Sequence, residues 1–317
     1  MGVDDNMIWN FDKKSIRPDI EMGIVSISPV CGCSGGCGYC YLCLRDISGV
    51  EINGFGLEET VEWLNNHPEF SAGANGNILC MGSWGEIFPQ SKAIRDIALI
   101  WIETLLELGN PMAVFTKGYL SAEEVTYLND IQKYPHQLMV LGTVTSIGQA
   151  KKIEPGCIHP RQRFQTLENC KKQGLDAVLY INPYLKGITD IEVRDLFEAC
   201  KNSNVDDVVI SPLFYDDKIL KEMAGRESMN HICERLKSEE GNRSRGMSTV
   251  AGPVAADEIT EDHSIIEGFA EKYRLNIYNH YMCVLSRQYG RKNTPFWKNP
   301  VVCRDCGHCA EILDFDG

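Results

Sequence analysis

Thirteen residues, Cys31 to Cys43 (CGCSGGCGYCYLC), carry five of the chain's fourteen cysteines. Thiols at that density pair as disulfides, bind zinc or hold an iron–sulfur cluster. Structural zinc usually draws four ligands from two CxxC knuckles. Cys33, Cys37 and Cys40 are instead spaced x3 and then x2, with Tyr39 just before the last. Three thiolates around a 4Fe–4S cluster leave one iron without a protein ligand. That open iron can chelate and reduce a small molecule, so the spacing points to chemistry. A zinc knuckle or a surface thiol cluster is the alternative.

A second group lies in the tail. Cys303, Cys306 and Cys309 read CxxCxxC, with Cys283 twenty residues upstream. The four together complete an all-thiolate site, and the ferredoxin-like spacing favours an auxiliary 4Fe–4S cluster. Zinc on the same four thiolates is the alternative. His308 is expected to face solvent. Only one extra site can be built from these residues. Cys80, Cys170, Cys200 and Cys233 fall inside strand or helix patterns and read as small core residues.

The elements that must position these groups can be counted. Strand patterns cover Gly23–Ser28, Asn77–Gly82, Met112–Lys117, Leu138–Ser146, Ala177–Pro183 and Asp207–Pro212. Helical patterns cover Leu57–Asn66, Lys92–Leu108, Ala122–Lys133, Pro160–Gln173 and Ile191–Asn202, with Asp217–Leu236 after the last strand. Ser121 before Glu123 and Glu124, Asp190 before Glu192, and Gly109 and Gly174 just past helix ends supply caps. Six βα units with nearly continuous apolar strands imply a parallel sheet covered by helices, as an open doubly wound sheet or a partial barrel. Either architecture puts the active site at the carboxyl ends of the strands. The cysteine loop follows the first strand, on that face.

Beyond Leu236 the pattern loosens. Ser238–Ala256 reads as a loop over the site, Ile259–Lys272 as a helix and Leu275–Val284 as a strand. The tail from Ser286 has little periodicity.

Composition bounds the function class. The 317 residues are 44% hydrophobic and 24% charged, with 44 acidic against 31 basic side chains and a formal net charge of −13. Such a chain repels polyanions, which disfavours nucleic acid or an anionic membrane as partner. The first residues, MGVDDNMIWNFDKK, have no apolar core for a secretion signal. The best apolar run, Ile94–Leu108, is broken by Arg95, Asp96, Glu103 and Glu107, which suits an amphipathic helix and not a membrane span. The expected location is cytoplasmic, where many cysteines mean metal ligands more often than disulfides.

Cys33-Ser34-Gly35-Gly36-Cys37-Gly38-Tyr39-Cys40 resembles in full the CxxxCxΦC signature of the radical S-adenosylmethionine (radical SAM) superfamily, where Φ is aromatic. Gly82-Ser83-Trp84-Gly85-Glu86 resembles that superfamily's GGE-type turn, with Trp84 where glycine is common. Thr116-Lys117, Thr145-Ser146, Glu154-Pro155-Gly156, Arg161-Gln162-Arg163 and Asn182-Pro183 recur in an order similar to the spore photoproduct lyase-like branch. The resemblance covers about residues 21–215.

It implies a partial (βα)6 TIM-like barrel at 21–275, after a 1–20 lead and before a small cluster-binding extension at 276–317. It implies that Cys33, Cys37 and Cys40 hold a 4Fe–4S cluster and that S-adenosylmethionine is the cofactor. Tyr39, Gly85 and Glu86 would line the cofactor site, with Glu86 near the methionyl amino group. Lys117 would meet the cofactor carboxylate, and Thr145 or Ser146 the ribose. Cys31, Cys43 or Cys157, in loops near this face, could donate a hydrogen atom to a substrate radical, as could Tyr41 or Tyr184. The expected activity is reductive cleavage of the cofactor and hydrogen abstraction from a small molecule or peptide, with a flavodoxin- or ferredoxin-type reductant. A nucleic-acid repair lyase, a single-cluster enzyme with a zinc tail and a non-catalytic electron carrier are the rivals.

Overall fold

The computed structural model describes residues 15–21, 23–40, 42, 49–238, 244–248, 252–257, 259, 262–279 and 281–288. In chain order the elements begin with β1 (Asp19–Glu21), β2 (Ile24–Ile27), β3 (Val30–Cys31), β4 (Glu51–Ile52), α1 (Leu57–Asn66), β5 (Ile78–Met81) and α2 (Lys92–Leu106). They continue with β6 (Met112–Thr116), α3 (Ala122–Asp130), β7 (Leu138–Thr143), α4 (Ala150–Ile153), α5 (Pro160–Gln173), β8 (Asp176–Tyr184) and α6 (Val193–Asn202). The last are β9 (Asp207–Tyr215), α7 (Asp217–Ala224), α8 (Asn230–Ser238), β10 (Ser244–Ser248), β11 (Gly252–Asp257), α9 (His263–Tyr273), β12 (Asn276–Tyr278) and α10 (Tyr281–Gln288).

All six expected strands form one sheet, in the order β2-β5-β6-β7-β8-β9, and each neighbouring pair is parallel. β1 adds antiparallel at one edge. At the other, β12 pairs parallel with the start of β9, while β11 pairs antiparallel with its end and carries β10. Among the described residues the sheet does not close: it ends at β1 on one side and at β10 and β12 on the other.

The strands are buried on both faces, which is why they read as unbroken apolar runs. Alternate residues divide between two packing layers. Val25, Leu79, Val114, Val140, Leu179 and Ile210 face the helices, meeting Leu64, Trp101, Leu105 and Leu167. Ile24, Cys80, Ala113, Met139, Val178 and Val209 face the other way. That second face is covered by α10, through Cys283, Val284 and Leu285. Phe115, Tyr180 and Tyr281 pack there ring to ring, with centroids 5.1 to 6.3 Å apart.

The structure corrects the sequence reading after β9. The expected single helix over Asp217–Leu236 is two, α7 and α8, separated by Gly225, an extended Arg226 (φ −119°, ψ 115°) and a turn of 3-10 helix at Glu227–Met229. The expected loop over Ser238–Ala256 contains the paired strands β10 and β11. The expected strand over Leu275–Val284 is only three residues of β12 before the chain turns into α10, so Cys283 is helical. The expected tail residues Cys303, Cys306 and Cys309 lie outside the described residues, as do Tyr41 and Cys43.

Candidate functional site

The carboxyl ends of β2, β5, β6 and β7 converge on the loop 32–40. Its entrance is fixed first. Gly32 bridges Gly85 in parallel register, and its N–H donates to the Trp84 carbonyl at 3.0 Å. A side chain at Gly85 would put its Cβ 2.3 Å from the Gly32 oxygen, so the approach of the two loops requires glycine there. Trp84 is buried with Ile16, Cys31 and Leu42, and Cys33 and Cys40 pack against this group. Trp84 is thus a large apolar support under the cysteine loop.

The loop's far side rests on the helix break. Arg226 donates to the Gly36 carbonyl at 2.6 Å, and Met229 packs on Gly38. The Gly38 N–H donates to the Ile153 carbonyl at 2.7 Å. Cys37 and Tyr39 sit in an apolar cluster with Ile153, Leu213, Tyr215 and Met229.

The sulfurs gather at the centre. From the point where a Cβ would stand on Gly35, the Cys157, Cys33 and Cys37 sulfurs lie at 2.7, 3.1 and 3.5 Å. The Gly35 N–H donates to Cys33 Sγ at 3.2 Å. Burial, helped by nearby Glu86, pushes the Cys33 thiol up to about 11, and burial with the neighbouring Cys37 pushes Cys40 up to about 12. Contact with Cys157 pulls Cys37 down. Among the described residues no trio of His, Cys, Asp or Glu is set to hold a single metal ion. A polynuclear cluster spreads its thiolates further apart than one ion does, and three soft donors in a desolvated loop suit iron–sulfur chemistry. The residues present therefore fit the cluster.

Beside the sulfurs is a buried charge network. Glu154 and Arg163 are each 1% exposed and pair directly, Arg163 Nη1 to Glu154 Oε2. Arg163 also donates to the carbonyls of Ile158 and Thr143. Lys117 Nζ stands 3.8 Å from Glu154 Oε1 and 5.8 Å from the centre of the Tyr39 ring. The Tyr39 hydroxyl donates to Glu154 and lies 3.1 Å from Thr145 Oγ1. Burial would push the Glu154 carboxyl up, but Lys117 and Arg163 outweigh it and hold it below the usual range. Desolvation would lower the Lys117 ammonium, but Glu154 and the Cys37 and Cys157 thiols hold it above its ordinary value.

The two remaining expected residues are engaged locally. Glu86 accepts from the Phe88 N–H at 2.9 Å, the Lys117 N–H at 2.6 Å and the Thr116 hydroxyl at 2.5 Å, tying the β5 turn to the end of β6. The Ser146 hydroxyl donates to Glu192 at 2.9 Å, whereas Thr145 faces Tyr39. Cys31 donates to Asn53 Oδ1 at 3.7 Å and belongs to the buried support beneath the loop. Cys283 is buried on α10 among Ile24, Cys80 and Val209. Cys80, Cys170, Cys200 and Cys233 are buried core residues, as expected.

The roles of Arg226 and Met229 were not visible in sequence; the only local signal was Gly225 inside a helical pattern. Glu154 and Arg163 were visible as motif residues, but their mutual pairing was not.

No protein-family model matches the chain, and no curated protein matches it. Solved structures do match its fold. A cysteine-to-serine mutant of spore photoproduct lyase superposes with a TM-score of 0.60 at 16% identity, covering 81% of this chain and 76% of that one. A double mutant of spore photoproduct lyase, with bound AdoMet and dinucleoside spore photoproduct, gives 0.59 at 15% identity with the same coverage. The chain thus shares the mixed α/β, mostly parallel fold of spore photoproduct lyase.

Proposed function

We propose that this chain is a radical SAM enzyme. The observation that carries the reading is the loop 32–40. It places a three-cysteine signature at the carboxyl end of the sheet's first parallel strand, with the Cys33 and Cys37 sulfurs beside Gly35. Cys33, Cys37 and Cys40 would hold a 4Fe–4S cluster, which together with S-adenosylmethionine would supply one-electron chemistry able to activate an unactivated C–H bond.

The chain's own residues orient and shield. Arg163 neutralises Glu154, and Lys117, at 3.8 Å, is left with a cation to offer a cofactor carboxylate. Thr145, beside Tyr39, is placed to meet a ribose hydroxyl. Glu86 acts on cofactor binding by fixing the Gly85 turn and the backbone of Lys117. Trp84 on one side and Met229 on the other pack against the loop.

The substrate we assign is a small molecule or peptide, with electrons from a flavodoxin- or ferredoxin-type reductant. Cys283, Cys303, Cys306 and Cys309 would hold a second 4Fe–4S cluster that takes an electron from the substrate or anchors it, with zinc as the competing occupant. A repair lyase acting on nucleic acid is the second reading. The shared fold with spore photoproduct lyase favours it, and the net charge of −13 opposes it.

The test is reductive cofactor cleavage by anaerobically reconstituted protein. Cys33→Ala, Cys37→Ala or Cys40→Ala should each abolish 5′-deoxyadenosine formation, because each supplies one of only three thiolates. A normal yield from any of the three would sink the assignment.

A further inference from the structure

The chain's buried core cysteines are wrapped in aliphatic side chains; Cys157 is different. It is partly exposed and faces sulfur: its Sγ stands 3.6 Å from Cys37 Sγ and, with Cys33 and Cys37, borders the Gly35 position. A dispersion contact alone would be served as well by valine or alanine. A thiol whose neighbours are the loop's own thiols is a ligand in waiting.

The turn that presents Cys157 is built onto the loop. The Gly156 N–H donates to the Gly35 carbonyl at 2.8 Å. A Cβ on Gly156 would stand 2.0 Å from the Ser34 oxygen, so only glycine allows this approach. The Pro155 ring lies 3.6 Å from the corresponding position on Gly36, and the Cys157 N–H closes the turn onto the Glu154 carbonyl at 3.1 Å. Glu154 is itself pinned by Arg163 and Tyr39. The sulfur is therefore carried to the loop by a turn whose Gly156 backbone, Pro155 ring and Glu154 carboxylate each meet it.

We propose that Cys157 is a fourth thiol of this metal centre: it holds the iron that Cys33, Cys37 and Cys40 leave free, until the cofactor displaces it. The proposal rests on the cluster reading above. Rotation about the single Cα–Cβ bond would let the Cys157 sulfur leave Cys37 and act as a ligand to a bound cluster. The enzyme without cofactor then carries a four-thiolate cluster, protected where a three-thiolate cluster is exposed to oxidants.

The experiment loads the full-length protein with iron and sulfide anaerobically, with no S-adenosylmethionine, and oxidises it mildly with ferricyanide. Electron paramagnetic resonance then reports any cluster that has lost its fourth iron. The wild type should keep its four-iron form. In Cys157→Ala and in the near-isosteric Cys157→Ser the three-iron signal should become the major species at this site. The tail cysteines are the same in all three proteins, so their contribution cancels in the comparison. Equal three-iron signals in wild type and both variants, or none in any, would overturn the role of Cys157 alone. Unchanged loop iron in a variant lacking both Cys33 and Cys37, which leaves only Cys40 and Cys157 at the site, would overturn the cluster reading itself.

Discussion

Glu86, in the turn after β5, and Glu154, at the C-terminal end of α4, are held in opposite ways. Glu86 is half-buried and accepts from two backbone N–H groups and a hydroxyl, all neutral donors. Glu154 is fully buried between two cations and the Tyr39 hydroxyl. A carboxylate among neutral donors is a strut, and its removal loosens a turn. A carboxylate between cations sets the charge of a pocket, and its removal leaves an unpaired cation where water cannot reach.

The largest loss is expected at Glu154. Glu154→Gln should cost about 3–5 kcal/mol of unfolding free energy, because Arg163 remains charged and buried. Adding Arg163→Met to the same protein should restore part of that loss. Chemical denaturation measures both, and a double mutant no more stable than the single would show that the charge pair is not the cause. The pH dependence follows from the same contact. The folded Glu154 carboxyl lies below its ordinary value, so its stabilisation is complete above the unfolded value of about 4.3 and is lost as pH falls through the folded one. The stability gap between wild type and Glu154→Gln should be flat from neutral pH down to about 4.3 and shrink below it.

Glu86→Gln comes next, at about 1.5 kcal/mol, since the amide keeps one oxygen for the backbone donors and gives up the charge. A loss equal to that of Glu154→Gln would erase the distinction between strut and charge. Thr145→Val is the mildest, at about 1 kcal/mol, removing the hydroxyl that donates to the Asn182 carbonyl at 3.1 Å and meets Tyr39. Thermal unfolding of the variant reads this loss; an unchanged midpoint would show that Tyr39 is positioned by Glu154 alone.

Legibility followed burial. β5 through β9 are continuous apolar runs because helices cover one face and the second apolar layer the other, so their type and order could be read directly. The cysteine spacing and Lys117 stood out because chemistry restricts residue type at fixed spacing, and the structure sets Lys117 beside Tyr39 of the cysteine loop. What escaped depends on distant partners. Residues Asp217–Leu236 keep a helical apolar pattern throughout, yet Arg226 leaves it to reach the Gly36 carbonyl. The short run Leu275–Val284 suits strand and helix equally, and the cover it provides over the second face of the sheet decides for α10. Ser244–Ser248 and Gly252–Asp257 carry no alternation of their own and become strands by pairing onto β9. The mutual pairing of Glu154, Arg163 and Lys117 joins three separate loops and elements, which no local pattern records.

The Arg226–Gly36 bond joins residues 190 positions apart, and this has a consequence for biosynthesis. At ribosomal rates of about 5–20 residues per second, Arg226 emerges roughly 10–40 s after Gly36. Throughout that interval the nascent cysteine loop lacks its outer brace, and for most of it lacks the Pro155–Cys157 turn as well. If the proposed cluster is present, iron delivered before synthesis passes Met229 would meet thiols on an unfinished frame, so its insertion would belong after translation of the two helices that flank Arg226.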